Sequence, residues 1–312
     1  MKWFTGMGTK INMVAIAKPF FRFSSGDSIY LSAKAASRCI RDAGIDPCDI
    51  GLLINTGIYR NRNTGEPAIA ALIQKKIGAY SRKKIAGEIN PDDSKTTFSF
   101  DLNNGGCGLL TGIQIADGFI KAGRIQYGMV VTGDSEPFQE LSVNFNFESA
   151  AAAIILSGSE DPGGFSFFRS YFFPEYKEEF TSSTYFGHLK GKWGKGNILL
   201  VRQKETYLDM CVKCAAESLF RFLNEAGISL NETDLIIPSQ SPAGFVSGMK
   251  KRIGMNDVFV EIIKKRNKEL HTAGPAFVLK KVWDDNHFKT SKNIVFMTVG
   301  SGISVSFALY KN

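Results

Sequence analysis

The sequence predicts an α/β fold built from two similar halves, and three observations support this. Strand-like and helix-like hydrophobic periods alternate along the chain. The order of elements in residues 33–57 recurs in residues 213–239, and a second pair of similar segments follows at 127–134 and 293–302. Because helices and strands alternate, we expect right-handed βαβ crossovers and mostly parallel sheets.

The first repeat is the clearest one. Each copy reads as an amphipathic helix, an Ala-Gly-Ile stop, a polar turn and an apolar strand. Ala43-Gly44-Ile45 matches Ala226-Gly227-Ile228, and the glycine of each triplet is expected to cap its helix. A repeat of about 180 residues is too long for a solenoid, so it indicates two fused halves. We place them at residues 1–165 and 166–312.

The composition restricts the class of protein. The chain has 312 residues, of which 44% are hydrophobic and 22% charged, and this is typical of a globular protein. No apolar run reaches the roughly 20 residues of a membrane span, and the first residues lack a signal-peptide core. Five cysteines without a dense framework suit a reducing compartment. We therefore expect a cytoplasmic protein without a membrane partner.

The net charge of +8 indicates an acidic partner or substrate. Nucleic acid is not expected, because the chain has no groove-reading motif and no arginine-rich arm. An acidic carrier protein or a phosphorylated thioester fits the charge. No cofactor or metal is expected either, since the CxxC formed by Cys211 and Cys214 lies within a helical pattern and has no second pair.

The main candidate for chemistry lies in SFDLNNGGCGLLTGIQIADGFI, residues 99–120. The apolar period changes from that of a strand to that of a helix at Cys107, which lies between Gly106 and Gly108. The unpaired N–H groups and the dipole of a helix N-terminus favour a thiolate and lower the pKa of a thiol. The residues alone leave two alternatives, a catalytic nucleophile or a small buried cysteine in a tight turn.

Several segments resemble the thiolase superfamily and, within it, the ketoacyl-ACP synthase III group of condensing enzymes. The matching regions follow one another in the order of that group and span most of residues 27–311. They are the nucleophile region DLNNGGCGLLTGIQIADGFIKAGRIQYGMVVTGD (101–134), ESAAAAIILS (148–157), LIIPSQSPAGFVSGMKKRIGM (235–255), LHTAGPAF (270–277) and TVGSGISVSFALYK (298–311). The resemblance implies a thiolase-like fold with a layered αβαβα architecture.

The resemblance also implies an acyltransferase. Cys107 would accept an acyl group from a carrier thioester and condense it with a second acyl thioester, in specialised metabolism similar to fatty-acid or polyketide synthesis. The group works as homodimers, and a heterodimer with a homologous subunit is the other possibility. Two alternatives stay open: a non-condensing acyl transferase or thioesterase, and a non-catalytic partner subunit of a heterodimeric ketosynthase.

The predicted site departs from the family pattern. The group pairs its cysteine with a histidine and an asparagine, whereas here Ser239 stands at the histidine position and His271 at the asparagine position. His271 is able to activate Cys107 or to donate a hydrogen bond to a thioester oxygen. Ser239 supplies one hydrogen bond but no useful base. The alternative is that His271 only packs in a loop.

Two further groups of residues gain a role from the resemblance. The backbone N–H of Ser301, in Gly300-Ser301-Gly302, would form an oxyanion hole with the N–H of Cys107. The cluster Lys250, Lys251 and Arg252 stands where the family presents a basic patch to its carrier protein. A cationic cluster of this kind on an amphipathic helix is otherwise a solvated face.

Glu66 belongs to NTGEPAIAALIQKKIG, residues 63–78, where Glu66-Pro67 is predicted to begin a helix. By itself it reads as a capping carboxylate. The segment resembles the Glu-Pro-Ser segment of long-chain Claisen-condensing relatives, in which a glutamate reaches across the dimer and deprotonates the acyl α-carbon. The resemblance implies that Glu66 is such a base, buried and with a raised pKa.

Other parts of the chain carry weaker expectations. The tryptophan and arginine with which the family grips coenzyme A have no clear counterpart before Ala33, and the Gly244 region replaces a further arginine. Residues 80–97 and 174–196 are predicted to be polar loops or excursions, and the second, rich in aromatics and glycine, is expected to cover an acyl tunnel. The resemblance therefore favours a carrier-protein donor over coenzyme A.

Overall fold

The computed structural model describes residues 8–19, 26–60, 63, 65–80, 96–135, 147–188, 196–262 and 269–312. Within these ranges the strands are β1 (Gly8–Ala17), β2 (Ile50–Asn55), β3 (Phe98–Asp101), β4 (Tyr127–Asp134), β5 (Ala150–Ser159), β6 (Gly164–Phe172), β7 (Phe180–Gly187), β8 (Gly196–Gln203), β9 (Leu235–Pro238), β10 (Asn293–Gly300) and β11 (Ser304–Lys311). The α-helices are α1 (Ser28–Ala43), α2 (Ile69–Ile77), α3 (Gly108–Lys121), α4 (Tyr207–Ala226), α5 (Phe245–Ile253), α6 (Gly274–Asp284) and α7 (His287–Thr290).

The elements form five layers. Helices α1 and α2 pack on the outer face of a five-stranded sheet with the order β1-β5-β4-β2-β3. Helices α3 and α6 lie between this sheet and a four-stranded sheet with the order β6-β11-β10-β9, whose outer face carries α4 and α5. Separate hydrophobic clusters fill the spaces between the layers. The predicted αβαβα layering is confirmed.

Both sheets are mixed, so the expectation of mostly parallel sheets was wrong. Strand β2 runs parallel to β3 and β4, and β9 runs parallel to β10. Strand β5 is antiparallel to β1 and β4, and β11 is antiparallel to β10 and β6. Only residues 301–303 separate β10 from β11. Such a short connection suffices for an antiparallel hairpin, whereas a parallel pair needs a long crossover.

The predicted repeat is present in the backbone. Helix α1 ends at Gly44 and helix α4 ends at Gly227, each a left-handed residue with φ of 68°. A 3₁₀ turn follows each glycine, and the chain then enters β2 in one half and β9 in the other. The predicted boundary between residues 165 and 166 falls inside β6 (Gly164–Phe172), and the division of the chain into domains remains a prediction.

Helix α3 occupies the centre of the molecule. Its apolar residues Leu109, Leu110, Ile113, Ala116 and Ile120 are all buried in the cluster between the two sheets. A helix covered on opposite sides has to be apolar around most of its circumference, which this one is. The central position of α3 places the residues that precede it, including Cys107, at the contact between the two halves.

Strands β7 and β8 form a separate antiparallel ribbon. Residues 174–196 are predicted to be a polar loop or an excursion, and the loop alternative was wrong where β7 lies. Most side chains of β7 are exposed, so this strand lacks the alternation of apolar and polar residues that signals a half-buried strand. The ribbon packs through Leu199 and Val201 against Tyr59 and Phe147. Most of the other predicted loop, residues 81–95, lies outside the described residues.

Candidate active site

The turn that carries Cys107 is held against the second half of the molecule. Residues Gly105–Cys107 form a 3₁₀ turn, and α3 begins at the next residue, so Cys107 lies at the helix N-terminus as expected. A Cβ on Gly106 would lie 2.2 Å from the carbonyl oxygen of Val299, and one on Gly300 would lie 3.2 Å from the Gly106 nitrogen. The glycine at position 106 therefore lets the turn approach the end of β10 closely, where any side chain would collide with the backbone.

The thiol of Cys107 is fully buried. Its Sγ lies 3.5 Å from the carbonyl oxygen of Ser304 and 3.6 Å from that of Thr298. Burial raises the pKa of the thiol, and hydrogen bonds from Ser304, Ser306 and Thr298 offset this only in part. The expectation that the helix N-terminus lowers the pKa was therefore wrong, because the loss of solvation outweighs the helix dipole. Cys107 is therefore a neutral thiol at neutral pH.

A cavity of about 180 Å³ lies above the Cys107 turn. It brings together three of the predicted site residues, namely Ser239, His271 and Ser301. Its described lining consists of Ile58, Tyr59, Asn103, Gly105, Gly106, Phe180, Ser182, Gln203, Tyr207, Ser239, Ser241, Pro242, Glu269, His271, Val299, Gly300 and Ser301. Cys107 is not among these residues although its two preceding neighbours are, so the thiol has to turn before it meets a ligand there.

His271 lies on the loop before α6 and is 14% exposed. Its Nδ1 atom lies 3.4 Å from Oδ2 of Asp134, a carboxylate that is 2% exposed. The imidazole ring packs against Tyr59 with 4.9 Å between ring centroids, and against Phe147 at 6.2 Å. The ring is therefore fixed by two aromatic neighbours and a carboxylate, which argues against a histidine that only fills a loop.

Asp134 ends β4 and accepts hydrogen bonds from several directions. Its Oδ1 accepts from the backbone N–H groups of Ile58 and Tyr59, at 3.0 and 2.9 Å. Its Oδ2 accepts from the N–H of Thr272 at 2.9 Å and from the Thr272 hydroxyl. Burial alone would raise the pKa of Asp134, but His271, Thr272 and the Tyr59 N–H lower it below its usual value. The carboxylate is therefore ionised at neutral pH.

Ser239 forms hydrogen bonds with the backbone of β10 and also lines the cavity. Its hydroxyl accepts a hydrogen bond from the N–H of Val299 at 3.1 Å, and its own N–H donates to the carbonyl of Met297 at 2.8 Å. Both bonds tie the end of β9 to β10. The hydroxyl proton remains able to donate toward the cavity, which agrees with the modest role expected of a serine.

The two N–H groups expected to form an oxyanion hole differ in their surroundings. The N–H of Cys107 donates to the carbonyl of Asn104 at 3.0 Å within the 3₁₀ turn. Ser301 is exposed and lines the cavity. An oxyanion bound between them would share the Cys107 N–H with Asn104, so the hole remains a prediction.

Glu66 is exposed and is not part of the described cavity lining, so this chain alone does not bury it as expected. The interpretation of Glu66-Pro67 as the start of a helix was also wrong, because α2 begins at Ile69. The N–H groups of Ile69 and Ala70 donate to the carboxylate of Asp101, each at 2.8 Å. Asp101, from the edge strand β3, therefore caps α2 in place of Glu66.

The basic cluster ends α5. Lys251 and Arg252 are exposed, whereas Lys250 is half-buried and lies 3.5 Å from the carboxylate of Glu261. Positive charge in the last turn complements the helix dipole, so part of this cluster has a structural role.

Neither a metal site nor a membrane helix appears among the described residues. No group of three histidine, cysteine or acidic residues there is able to hold a metal ion. None of the described helices is both long and apolar enough to span a bilayer. All five cysteines are free, and Cys211 and Cys214 are both buried within α4.

Sequence reasoning missed two residues of this site. Asp134 is the partner of His271, and Tyr59 packs on the imidazole ring. Asp134 did carry a signal, since it is a carboxylate at the end of the buried strand Tyr127–Asp134. Charged residues are rarely buried without a partner, and this one lies in the segment that was already matched to the nucleophile region.

Comparisons with known proteins agree with this architecture. The family model described as 3-oxoacyl-acyl-carrier-protein (ACP) synthase III matches residues 100–172. The chain is 23% identical over 297 residues to a β-ketoacyl-ACP synthase III of Pectobacterium atrosepticum, covering 89% of this chain and 82% of that protein. It is also 23% identical over 301 residues to an acyl-CoA:acyl-CoA alkyltransferase of Xanthomonas campestris, covering 89% and 80%.

Solved structures show the same fold. The 3-oxoacyl-ACP synthase III of Aquifex aeolicus superposes with a TM-score of 0.77 at 18% identity, over 98% of this chain and all of that one. Xanthomonas campestris OleA, solved with lauric acid and lauroyl-CoA, superposes with a TM-score of 0.76 at 18% identity, over 99% and 100%. With the family model and the sequence relatives, these structures show that the chain has the fold of the ketoacyl-ACP synthase III-like condensing enzymes and is similar to that group of acyltransferases in sequence.

Proposed function

We propose that the protein accepts an acyl group on Cys107 from a carrier thioester and condenses it with a second acyl thioester. One observation carries the proposal: Cys107 opens the central helix directly below a cavity lined by His271, Ser239 and Ser301. A nucleophile, a base and hydrogen-bond donors around one space are the parts that acyl transfer requires.

In the first step, acyl transfer, the Cys107 thiol turns toward the cavity and gives its proton to His271. The sulfur then bonds to the acyl carbon, the bond from that carbon to the donor's sulfur breaks, and the departing thiol takes the proton back. The developing negative charge on the carbonyl oxygen is stabilised by N–H donors at Cys107 and Ser301. The net change is a thioester exchange that needs no cofactor.

In the second step, condensation, the α-carbon of the second thioester loses a proton. We assign this proton to Glu66 of the partner subunit, because Glu66 is exposed on its own chain and free to meet another. The carbanion bonds to the acyl carbon on Cys107, and the Cys107 sulfur leaves and takes up the proton that Glu66 removed. Removing a proton does not depend on decarboxylation, which fits a site that lacks the family's histidine and asparagine pair. A homodimer follows from this assignment.

The donor is proposed to be an acyl carrier protein. The basic residues Lys251 and Arg252 are exposed at the end of α5 and able to meet an acidic partner. Several similar proteins carry the carrier protein in their names, whereas the alkyltransferase of Xanthomonas campestris is named for two acyl-CoA molecules. The overall charge of +8 supports an acidic partner of either kind.

A second candidate function is favoured by the pairing of His271 with Asp134. A carboxylate-supported imidazole is the arrangement that acyl-transfer enzymes use to deprotonate a hydroxyl or a water molecule. In this alternative, such a nucleophile takes the acyl group from Cys107 and no carbon–carbon bond forms. Product analysis separates the two, because condensation yields a β-keto product and the alternative yields an ester or a free acid.

Glu66→Gln is expected to leave acylation of Cys107 intact and to stop condensation. Glutamine keeps the size and the hydrogen bonding of glutamate but takes no proton at neutral pH. The measurement is the mass of the acylated protein beside the yield of β-keto product. Glu217→Gln, which alters an exposed glutamate on α4, is the matched control and should leave both unchanged.

The partner-subunit assignment has its own test. Mixed dimers of Cys107→Ala and Glu66→Gln chains should regain condensation, since one of their two sites has both residues. Neither homodimer should condense. Normal condensation by the Glu66→Gln homodimer would refute the assignment of Glu66 as the base.

A further inference from the structure

Asp134 is the most enclosed carboxylate of the candidate site. It is 2% exposed and accepts hydrogen bonds from the N–H groups of Ile58, Tyr59 and Thr272 and from the Thr272 hydroxyl. All of these groups are donors, and donors stabilise an ionised carboxylate. Asp134 is therefore an acceptor only, and any group that meets it has to supply a proton.

The remaining neighbour of Asp134 is His271. The Nδ1 atom lies 3.4 Å from Oδ2, while the same side chain lines the cavity. A neutral imidazole has one protonated nitrogen, and the hydrogen bond at that nitrogen decides which one it is. An ionised carboxylate 3.4 Å from Nδ1 attracts an N–H at that edge and repels a lone pair, so the proton belongs on Nδ1. The Nε2 atom is then the nitrogen without a proton.

Aromatic side chains pack around the imidazole ring and restrain its position. Tyr59 and Phe147 contact the imidazole, and both belong to the cluster formed with Leu199 and Val201 of the β7–β8 ribbon. Tyr59 is further held by its own N–H, which donates to Asp134. The same carboxylate thus fixes the ring and one of the side chains that packs on it.

We propose that Asp134 is a positioning residue that keeps the proton of neutral His271 on Nδ1 and so presents Nε2 to the cavity as a base. This inference rests on the proposed acyl transfer and decides between the two roles open to His271. A neutral Nε2 without a proton accepts one from the Cys107 thiol and does not donate a hydrogen bond to a thioester oxygen. The imidazolium formed in this step is stabilised by the Asp134 carboxylate and returns its proton to the departing thiol.

The test is ¹⁵N NMR of the full-length protein labelled at histidine. The chain has only three histidines, and His271→Ala assigns the signals by removing one set. In the wild-type protein, the neutral form of His271 should be protonated at Nδ1 and unprotonated at Nε2. Asp134→Asn should shift His271 toward the Nε2-protonated form and slow acylation by about 10² to 10⁴-fold, the contribution of a correctly protonated base.

Thr272→Val is the matched control, because it removes a hydroxyl that donates to Asp134 but keeps the carboxylate. It should leave the His271 tautomer unchanged. The proposal is overturned if His271 of the wild-type protein carries its proton on Nε2. This result needs no variant, so it holds even if Asp134→Asn does not fold. If Cys107 is acylated in that case, the proposed function stands and only the inference fails. If Nδ1 is protonated but Cys107 is never acylated, the proposed function fails and the pairing stands.

Discussion

Replacing Cys107 by alanine is expected to abolish turnover. Alanine retains the Cβ atom and the turn before α3, but it has no sulfur to form the acyl-enzyme. The side chain is fully buried beside Ser304 and Thr298, so the replacement removes one buried atom and leaves the fold intact. Turnover with an acyl carrier substrate is the measurement, and Cys107→Ser should be equally inactive because a hydroxyl is a far weaker nucleophile.

The control for this prediction is another fully buried cysteine. Cys39 is 0% exposed on α1, outside the cavity lining, so Cys39→Ala removes the same atom without touching the site. It should retain turnover. Residual turnover by Cys107→Ala equal to that of Cys39→Ala would show that Cys107 is only a structural residue in a tight turn.

His271→Ala is expected to lower the rate of acyl transfer by about 10² to 10⁴-fold, the usual contribution of a positioned acid or base. The buried Cys107 thiol has a raised pKa, so the reaction depends on a group that takes its proton. His271 is the histidine that lines the described cavity, and Asp134 supports its charged form. The measurement is the rate of acyl-enzyme formation under single-turnover conditions.

Ser239→Ala tests whether the imidazole, and not the residue at 239, carries this role. Serine at that position contributes a hydrogen bond to the Val299 N–H, which is worth about 1 kcal/mol of stability and no proton transfer. The expected loss of rate is far smaller than for His271→Ala. The assignment of the base would be wrong if the two losses were reversed, or if His271→Ala reacted at nearly the normal rate.

Local signals made the Cys107 region predictable. The change of hydrophobic period, together with the glycines around the cysteine, indicated a strand, a turn and a helix, and β3, the 3₁₀ turn and α3 follow in that order. The Ala-Gly-Ile triplets likewise predicted both helix ends at Gly44 and Gly227. In each case the residues that determine the conformation are neighbours in sequence.

Features that depend on distant segments were not predictable in this way. The burial that raises the pKa of Cys107 comes from the β10–β11 hairpin, which packs on the turn from the other half of the chain. The cap of α2 is Asp101, because β3 brings its carboxylate within 2.8 Å of the first N–H groups of the helix. Local propensity carries no information about which of two carboxylates reaches a helix end in three dimensions.

The pairing of His271 with Asp134 joins the end of β4 to the loop before α6. Both segments resemble regions of the family. Because those proteins have an asparagine at the position of His271, the resemblance does not indicate which residue would pair with an imidazole there. Strand β7 was not predicted for a different reason. Most of its side chains are exposed, so its sequence lacks the apolar face that indicates a half-buried strand.

The central claim is that Cys107 carries an acyl group during the reaction, and the mass of the intact protein tests it most directly. The wild-type chain would be incubated with a panel of acyl carrier and coenzyme A thioesters that differ in acyl chain length. Its intact mass would be measured by mass spectrometry, and the protein would then be digested to locate the modification. We predict a gain of one acyl group per chain with at least one donor, located on the peptide that contains Cys107. A folded protein that gains no mass with any donor, or that carries the acyl group on Cys39 or Cys214 instead, would contradict the account.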